Sequence, residues 1–268
     1  MRFPAVVLGI AWISALPAVA VAQDTYEIQI YPSETMAPGV TMVELHSNFT
    51  LDGQRAVVDS VVPSYHALHE TVEITHGFND WFEVGFYFFT NTVAGDAPAY
   101  VGSHIRPRVR VPPSWHWPVG VSISQEIGFQ RRRFSEDTWD WEIRPIVDRQ
   151  AGRLYWSVNP TMGVALKGGS GVDFSPGMTV TYDVTPKVNL GVEYYSAYGT
   201  IGHFVATPQQ WQEVFPVMNL NLSPDWEFNA GVGWGLTHAT DHLIAKVILG
   251  RRFPSRHAAA TPTGAATR

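Results

Sequence analysis

The chain has 268 residues, 45% of them apolar (AVILMFWYC) and 13% aromatic, but only 16% charged, with no cysteine and a formal net charge of −6. So little charge with so many rings excludes a disordered polypeptide, and the acidic balance leaves no basic surface for nucleic acid. The missing thiols exclude disulfides, cysteine nucleophiles and thiolate metal sites.

In chain order, Met1 and Arg2 form a short basic end, Ala5 to Val19 is apolar, and Ala20-Val21-Ala22 is a small-x-small site. That order predicts a secretory signal peptide over 1–22 rather than a membrane anchor, because Pro4 and Pro17 break the apolar stretch and no basic stop comes after it. Residues 23–39 form a separate N-terminal segment, periplasmic or lumenal. Within it Tyr26 to Tyr31 has strand character and is expected to pack under or into the sheet built by the later residues. From residue 40 onward the dominant signal is period-2 alternation between turn residues. In 81–92, for example, Phe82, Val84, Phe86 and Phe88 share one face against Glu83, Gly85, Tyr87 and Asn91.

This pattern predicts twelve strands, at 40–51, 66–76, 81–92, 100–111, 119–131, 138–148, 153–166, 174–184, 188–197, 212–223, 226–237 and 242–253. An even number of strands, each about 9–11 residues or longer, with short and long connections in alternation, predicts an all-β fold. It is a transmembrane antiparallel up-and-down β-barrel over 40–253, in the bacterial outer membrane with both termini periplasmic. Tryptophans near strand ends fit interfacial girdles, with Trp81, Trp115, Trp117, Trp156 and Trp226 at the inner rim and Trp139, Trp141 and Trp211 at the outer. Strand 242–253 ends on Phe253 and resembles the terminal signal read by barrel-assembly machinery, except that fifteen residues lie beyond it. Residues 254–268, small and Ala/Thr-rich, are read as a disordered tail.

If the apolar faces meet lipid, the opposite faces line a lumen. There the alternation places His104, Arg106, Arg108 and Arg110 on one strand, Glu126 on the next, and Asp140, Glu142 and Arg144 on the one after. The arginine ladder is expected to face Glu126, Asp140 and Glu142. The field between them could orient small polar or anionic solutes, or the same groups could be a salt-bridge network that rigidifies a closed interior. Eight strands are usually filled and sixteen leave a channel, so twelve does not decide between the two. Glu44, His46, His69 and Glu73 could gather inside one hairpin and hold a divalent ion, as weak candidates for a metal site. Alternating Gly231, Gly233 and Gly235 on a lumenal face suggest close packing of a large neighbouring side chain. Arg131, Arg132 and Arg133 fall in an outer loop that could meet lipopolysaccharide phosphates. A lipid-modifying hydrolase would need a Ser, a His and an orienting acid on the lipid side near the outer rim, and the predicted lipid faces offer no Ser and His together there.

Tyr26-Glu27-Ile28-Gln29-Ile30-Tyr31, Ala37-Pro38-Gly39-Val40, Gly77-Phe78-Asn79-Asp80-Trp81-Phe82-Glu83 and Gly231-Val232-Gly233-Trp234-Gly235-Leu236-Thr237 resemble segments of a family of uncharacterised proteobacterial outer-membrane β-barrels. That family is similar to the transporter-type barrels of meta-pathway phenol degradation. The resemblance spans about Tyr26 to Phe253. It implies fold and location, and by analogy transport, but assigns no functional residues. The expected function is a monomeric channel or transporter for small polar, anionic or aromatic solutes, without cofactor. The alternatives are a plugged structural barrel without conductance and an outer-membrane lipid-modifying enzyme. The expected partners are outer-membrane lipid and lipopolysaccharide, the assembly machinery and the solute.

Overall fold

Alternation of apolar and polar side chains gives each strand one greasy and one hydrophilic face, and closing the sheet is what lets both faces find their solvent. The computed structural model describes residues 25–169 and 171–254; the expected signal peptide and the tail beyond Pro254 lie outside the described residues. Twelve strands form the wall. They are β1 (Val40–Asp52), β2 (Leu68–Asn79), β3 (Phe82–Thr92), β4 (Ala99–Arg110), β5 (Gly120–Gln130), β6 (Trp139–Ala151), β7 (Leu154–Ala165), β8 (Asp173–Thr185), β9 (Val188–Ala197), β10 (Trp211–Ser223), β11 (Trp226–Gly235) and β12 (Leu243–Pro254). Each pairs antiparallel with its neighbours in sequence, and β1 pairs with β12 from Val40↔Pro254 to Asp52↔Leu243, which closes the barrel. Every strand predicted from the alternation is present, with ends within three residues of those expected.

The outer wall is apolar. Phe86, Phe88, Ile105, Val192 and Leu249 are exposed there, while their strand neighbours Tyr87, Arg106, Glu193 and Ile248 are buried inside. Among the described residues no helix is long and apolar enough to cross a membrane, so any crossing is made by strands. Trp81, Trp115, Trp117, Trp139 and Trp226 are exposed at the rims as a girdle requires. Trp211 is not part of it, because it turns inward at 7% exposure and packs with Ala197 and Val205.

One rim carries the tight turns at 80–81, 152–153, 186–187 and 224–225, together with 111–119, and the other carries the longer loops. The loop at 198–210 adds a two-rung hairpin, Gly199–Thr200 with His203–Phe204, that extends the sheet past β8. Prolines inside strands leave holes in the ladder because they bring no amide hydrogen. Pro107 lies in the gap between Ile105↔Ile127 and Arg108↔Ser124, Pro145 and Pro160 between Ile143↔Met162 and Val147↔Val158, and Pro216 between Val214↔Trp234 and Val217↔Gly231.

The interior is filled from the chain's own N-terminal segment. Residues 25–36 belong to no strand, and a turn with Gly39 N–H to Gly77 O (2.8 Å) and Val40 N–H to Ala37 O (3.0 Å) feeds them into β1 at the tight-turn rim. Two apolar clusters form on this segment, Tyr26 with Tyr87, Phe89, Val101 and Phe134, and Ile28 with Tyr195, Phe215, Val217 and Ile244. The Phe215 ring lies over Gly233, the close packing that the alternating glycines suggested. The barrel's own ends, Val40 and Pro254, share the tight-turn rim, but Thr25 lies in the loop-side half of the lumen against Asn48. The described part of the segment therefore runs much of the length of the lumen before the wall begins.

Candidate functional site

A segment without strand partners must satisfy its backbone groups elsewhere, and the lumen wall does so with side chains. Asn48 Nδ2 donates to Thr25 O (2.8 Å), Thr71 Oγ1 to Tyr26 O (2.7 Å) and Lys246 Nζ to Ile28 O (3.0 Å). Asn159 both accepts from Tyr31 N–H (2.8 Å) and donates to Tyr31 O (3.1 Å), which Ser157 also reaches at 2.8 Å. Further along, Arg108 donates to Pro32 O (2.9 Å) and Glu34 O (2.8 Å). Asp148 accepts from Ser33 N–H (2.8 Å) and Oγ (2.6 Å), and Glu83 accepts from Met36 N–H (2.6 Å). These contacts come from β1, β2, β3, β4, β6, β7 and β12, so the segment is gripped from around the barrel.

Tyr31 marks the centre. Its ring lies 4.8 Å from the guanidinium carbons of Arg106 and Arg144 and 5.6 Å from that of Arg108, a three-sided cation–π setting. Its hydroxyl donates to Glu27 and stands 3.0 Å from the Tyr87 hydroxyl.

The predicted lumenal residues do converge, but with different partners. Arg106 binds Glu73 (2.5 Å) and Glu83 (3.2 Å), and Arg108 binds Glu83 (2.6 Å). Glu126 and Asp140 belong instead to His104, at 2.6 and 3.7 Å. Glu142, expected opposite the arginine ladder, pairs instead with Arg144 of its own strand (2.7 Å), which also reaches Glu27 of the inserted segment (3.7 Å). Two missing side chains decide this. A Cβ on Gly85 would stand 3.1 Å from Arg106 Nη2, so its absence lets the guanidinium lie across β3 to Glu73 on β2. A Cβ on Gly128 would fall 1.7 Å from the His104 ring, so its absence lets the imidazole lie over β5 between Glu126 and Asp140. Gly128→Ala is therefore expected to displace His104 and cost about 1–3 kcal/mol through overpacking. Chemical unfolding of the barrel in detergent checks this; an unchanged midpoint would show that the ring has room to spare.

Arg110 sits at the rim end of the same face and is only half-buried. Among the described residues, buried lumenal carboxylates (Glu27, Glu44, Glu73, Glu83, Glu126, Asp148, Glu193, Glu213) outnumber the buried cations Arg106, Arg108, Arg144 and Lys246. Of the metal candidates, Glu44, His46 and Glu73 come together. His69 does not, because it lies opposite Asn48, a rung beyond the one that pairs His46 with Thr71, and meets the Tyr26 ring edge-on at 4.9 Å. The residues missed from sequence are the small polar ones, Asn48, Thr71, Ser157, Asn159 and Asp148. Their signal was an inward face rich in hydrogen-bonding groups beside an unassigned strand-like segment.

At the loop mouth the three consecutive arginines are partly engaged, with Arg133 on Asp96 (3.1 Å) and Arg131 on Tyr100 O (3.1 Å). Partial burial raises the Glu136 and Asp137 carboxyls, helped by Asp59 and Asp137 for the former and by Asp173 for the latter. On the outer wall Ser47 meets Glu70 (3.3 Å) and Thr41 meets His76 (2.8 Å), neither of which makes a Ser–His–acid triad.

No protein-family model matches the chain, and no curated protein does. Among solved structures the fold is similar to that of an outer membrane channel from Pseudomonas putida F1 (TM-score 0.58, 10% identity, 85% of this chain and 100% of that one). It is also similar to the KdgM porin (0.52, 11%, 79% and 99%) and the NanC porin (0.52, 10%, 80% and 99%).

Proposed function

We propose that the protein is an outer-membrane channel for small polar, anionic or aromatic solutes whose path is occupied by its own N-terminal segment. On this reading the barrel is a monomer, its tight turns face the periplasm and its long loops the exterior. The carrying observation is the chemistry of the grip on residues 25–36, made largely of hydrogen bonds and ion pairs from a hydrophilic wall. Water or a solute can replace such contacts at little cost, whereas a barrel filled for rigidity alone gains most from apolar packing. The segment also outlines a ligand. Glu27 presents a carboxylate to Arg144, Tyr31 an aromatic ring to three guanidiniums, and Pro32 and Glu34 carbonyl oxygens to Arg108. Oxygen-rich anions and small aromatic acids carry the same groups.

The test is single-channel recording of the chain from Gln23 onward beside a variant lacking residues 25–36. A heat-dependent gel shift verifies that each has folded. The full chain is expected to be largely closed and the deletion to conduct at least about tenfold more, given a twelve-strand lumen. A folded deletion variant that conducts no better would leave the second reading, a structural barrel without conductance.

A further inference from the structure

Glu44 on β1 and Glu73 on β2 are directly opposed across the strand pair, and both point into the lumen. Like charges in that position repel, and a buried carboxylate without a partner is costly. Glu73 is half provided for, since its Oε1 accepts from Arg106 Nη2 (2.5 Å) and Thr75 Oγ1 (2.6 Å). Its Oε2 faces His46 Nε2 at 3.5 Å, with the Tyr31 hydroxyl 3.4 Å away. Glu44 makes no hydrogen bond or ion pair among the described residues. His46, the next inward residue of β1, is 0% exposed, and neither of its ring nitrogens has a hydrogen-bond partner. One donor atom from each of Glu44, His46 and Glu73 lies within 4.8 Å of the other two.

We propose that Glu44, His46 and Glu73 form a binding site for a divalent transition-metal ion of the Zn2+ type. Three protein donors of mixed nitrogen and oxygen character, completed by water, suit Zn2+, whereas Ca2+ and Mg2+ require oxygen ligands throughout. A tetrahedral ion at about 2.0–2.2 Å from each donor needs donors about 3.3 Å apart. The His46–Glu73 pair already has that spacing, so only the Glu44 carboxylate has to close in. Arg106 and Thr75 fix the carboxylate of Glu73 from its far oxygen, the orienting role that outer partners play around metal ligands. A cavity of about 320 Å³, lined by Glu44, Glu73, Met42 and Thr75 and reaching Glu227 and Arg252 at the tight-turn rim, gives an ion a way in. The ion would bind the two mutually repelling carboxylates and use the unpartnered imidazole. This site rests on the lumen geometry alone and is independent of conduction.

The experiment is calorimetric titration of ZnCl2 into the folded chain from Gln23 onward, without affinity histidines and stripped with chelator. Wild type is expected to take up one ion per chain, and E44Q and H46Q each to weaken binding by at least about tenfold. D96N, which removes a carboxylate at the loop mouth remote from the site, should match wild type. The heat-dependent gel shift certifies each variant as folded, and if H46Q fails it, E44Q decides alone. No uptake by wild type, or uptake undiminished in the folded variants, overturns the site.

Discussion

Arg106→Met is expected to destabilise the barrel by about 3–5 kcal/mol, the cost of removing one member of a buried ion-pair network and leaving a carboxylate without its cation. Arg106 is 1% exposed and holds Glu73, Glu83 and the Tyr87 hydroxyl together, with the Tyr31 ring against its guanidinium. Methionine fills a similar volume but leaves Glu73 without its cation in a low-dielectric interior, while Glu83 keeps Arg108. Urea unfolding of the barrel from lipid vesicles measures the loss, and the heat-shifted gel band should weaken in parallel. Adding Glu73→Gln to Arg106→Met should recover part of the stability, because the stranded charge is then removed. An unchanged midpoint for Arg106→Met would mean that water already solvates these carboxylates and that the network is dispensable.

The second large effect concerns selectivity, and it appears once the lumen is emptied. In the variant lacking residues 25–36, Arg108 loses the carbonyls of Pro32 and Glu34, and Arg144 loses Glu27. Arg106 keeps Glu73 and Glu83. Among the described residues Arg108 then keeps only Glu83, which it shares with Arg106, and Arg144 keeps only Glu142, so these two are the less neutralised cations that a passing anion would meet. Replacing both with glutamine in that background is expected to shift the reversal potential under a KCl gradient toward that of potassium. A unit charge at 4 Å in water is worth about 1 kcal/mol, so each replacement should change the relative passage of anions and cations about fivefold. Arg110→Gln, at the rim, should do far less. If the double replacement left the reversal potential where it was, the arginine band would have no part in selection.

The fold was legible in the sequence because alternation is a local property, and a one-residue slip would have turned every lumenal charge onto the apolar outer wall. The strand ends that ran longer than expected, Asn79 of β2 and Ala151 of β6, do so because the tight turns continue the pairing to Asn79↔Phe82 and Ala151↔Leu154. Which side chains face inward came from the same alternation, and His104, Arg106, Arg108, Glu126 and Arg144 are all buried there. Their partners did not. Reach across a strand depends on what the intervening residue lacks, and Gly85 and Gly128 look like any other glycine in the sequence. The inserted segment was equally opaque. Tyr26 to Tyr31 reads as a strand, yet its hydrogen bonds go to side chains scattered from Asn48 to Lys246, contacts that no local pattern encodes.

If the lumen is a solute path, as proposed, the turn at Ala37–Gly39 that joins the inserted segment to β1 makes its blockade an intramolecular equilibrium. A blocker delivered from solution must be present near its dissociation constant, whereas a segment tethered by so short a linker has an effective concentration in the millimolar range. Once pulled out it would return without dilution, whatever the abundance of the protein. Only something that competes for the same donors, or a force applied to the chain, would keep the passage clear, and removal of either would reset it.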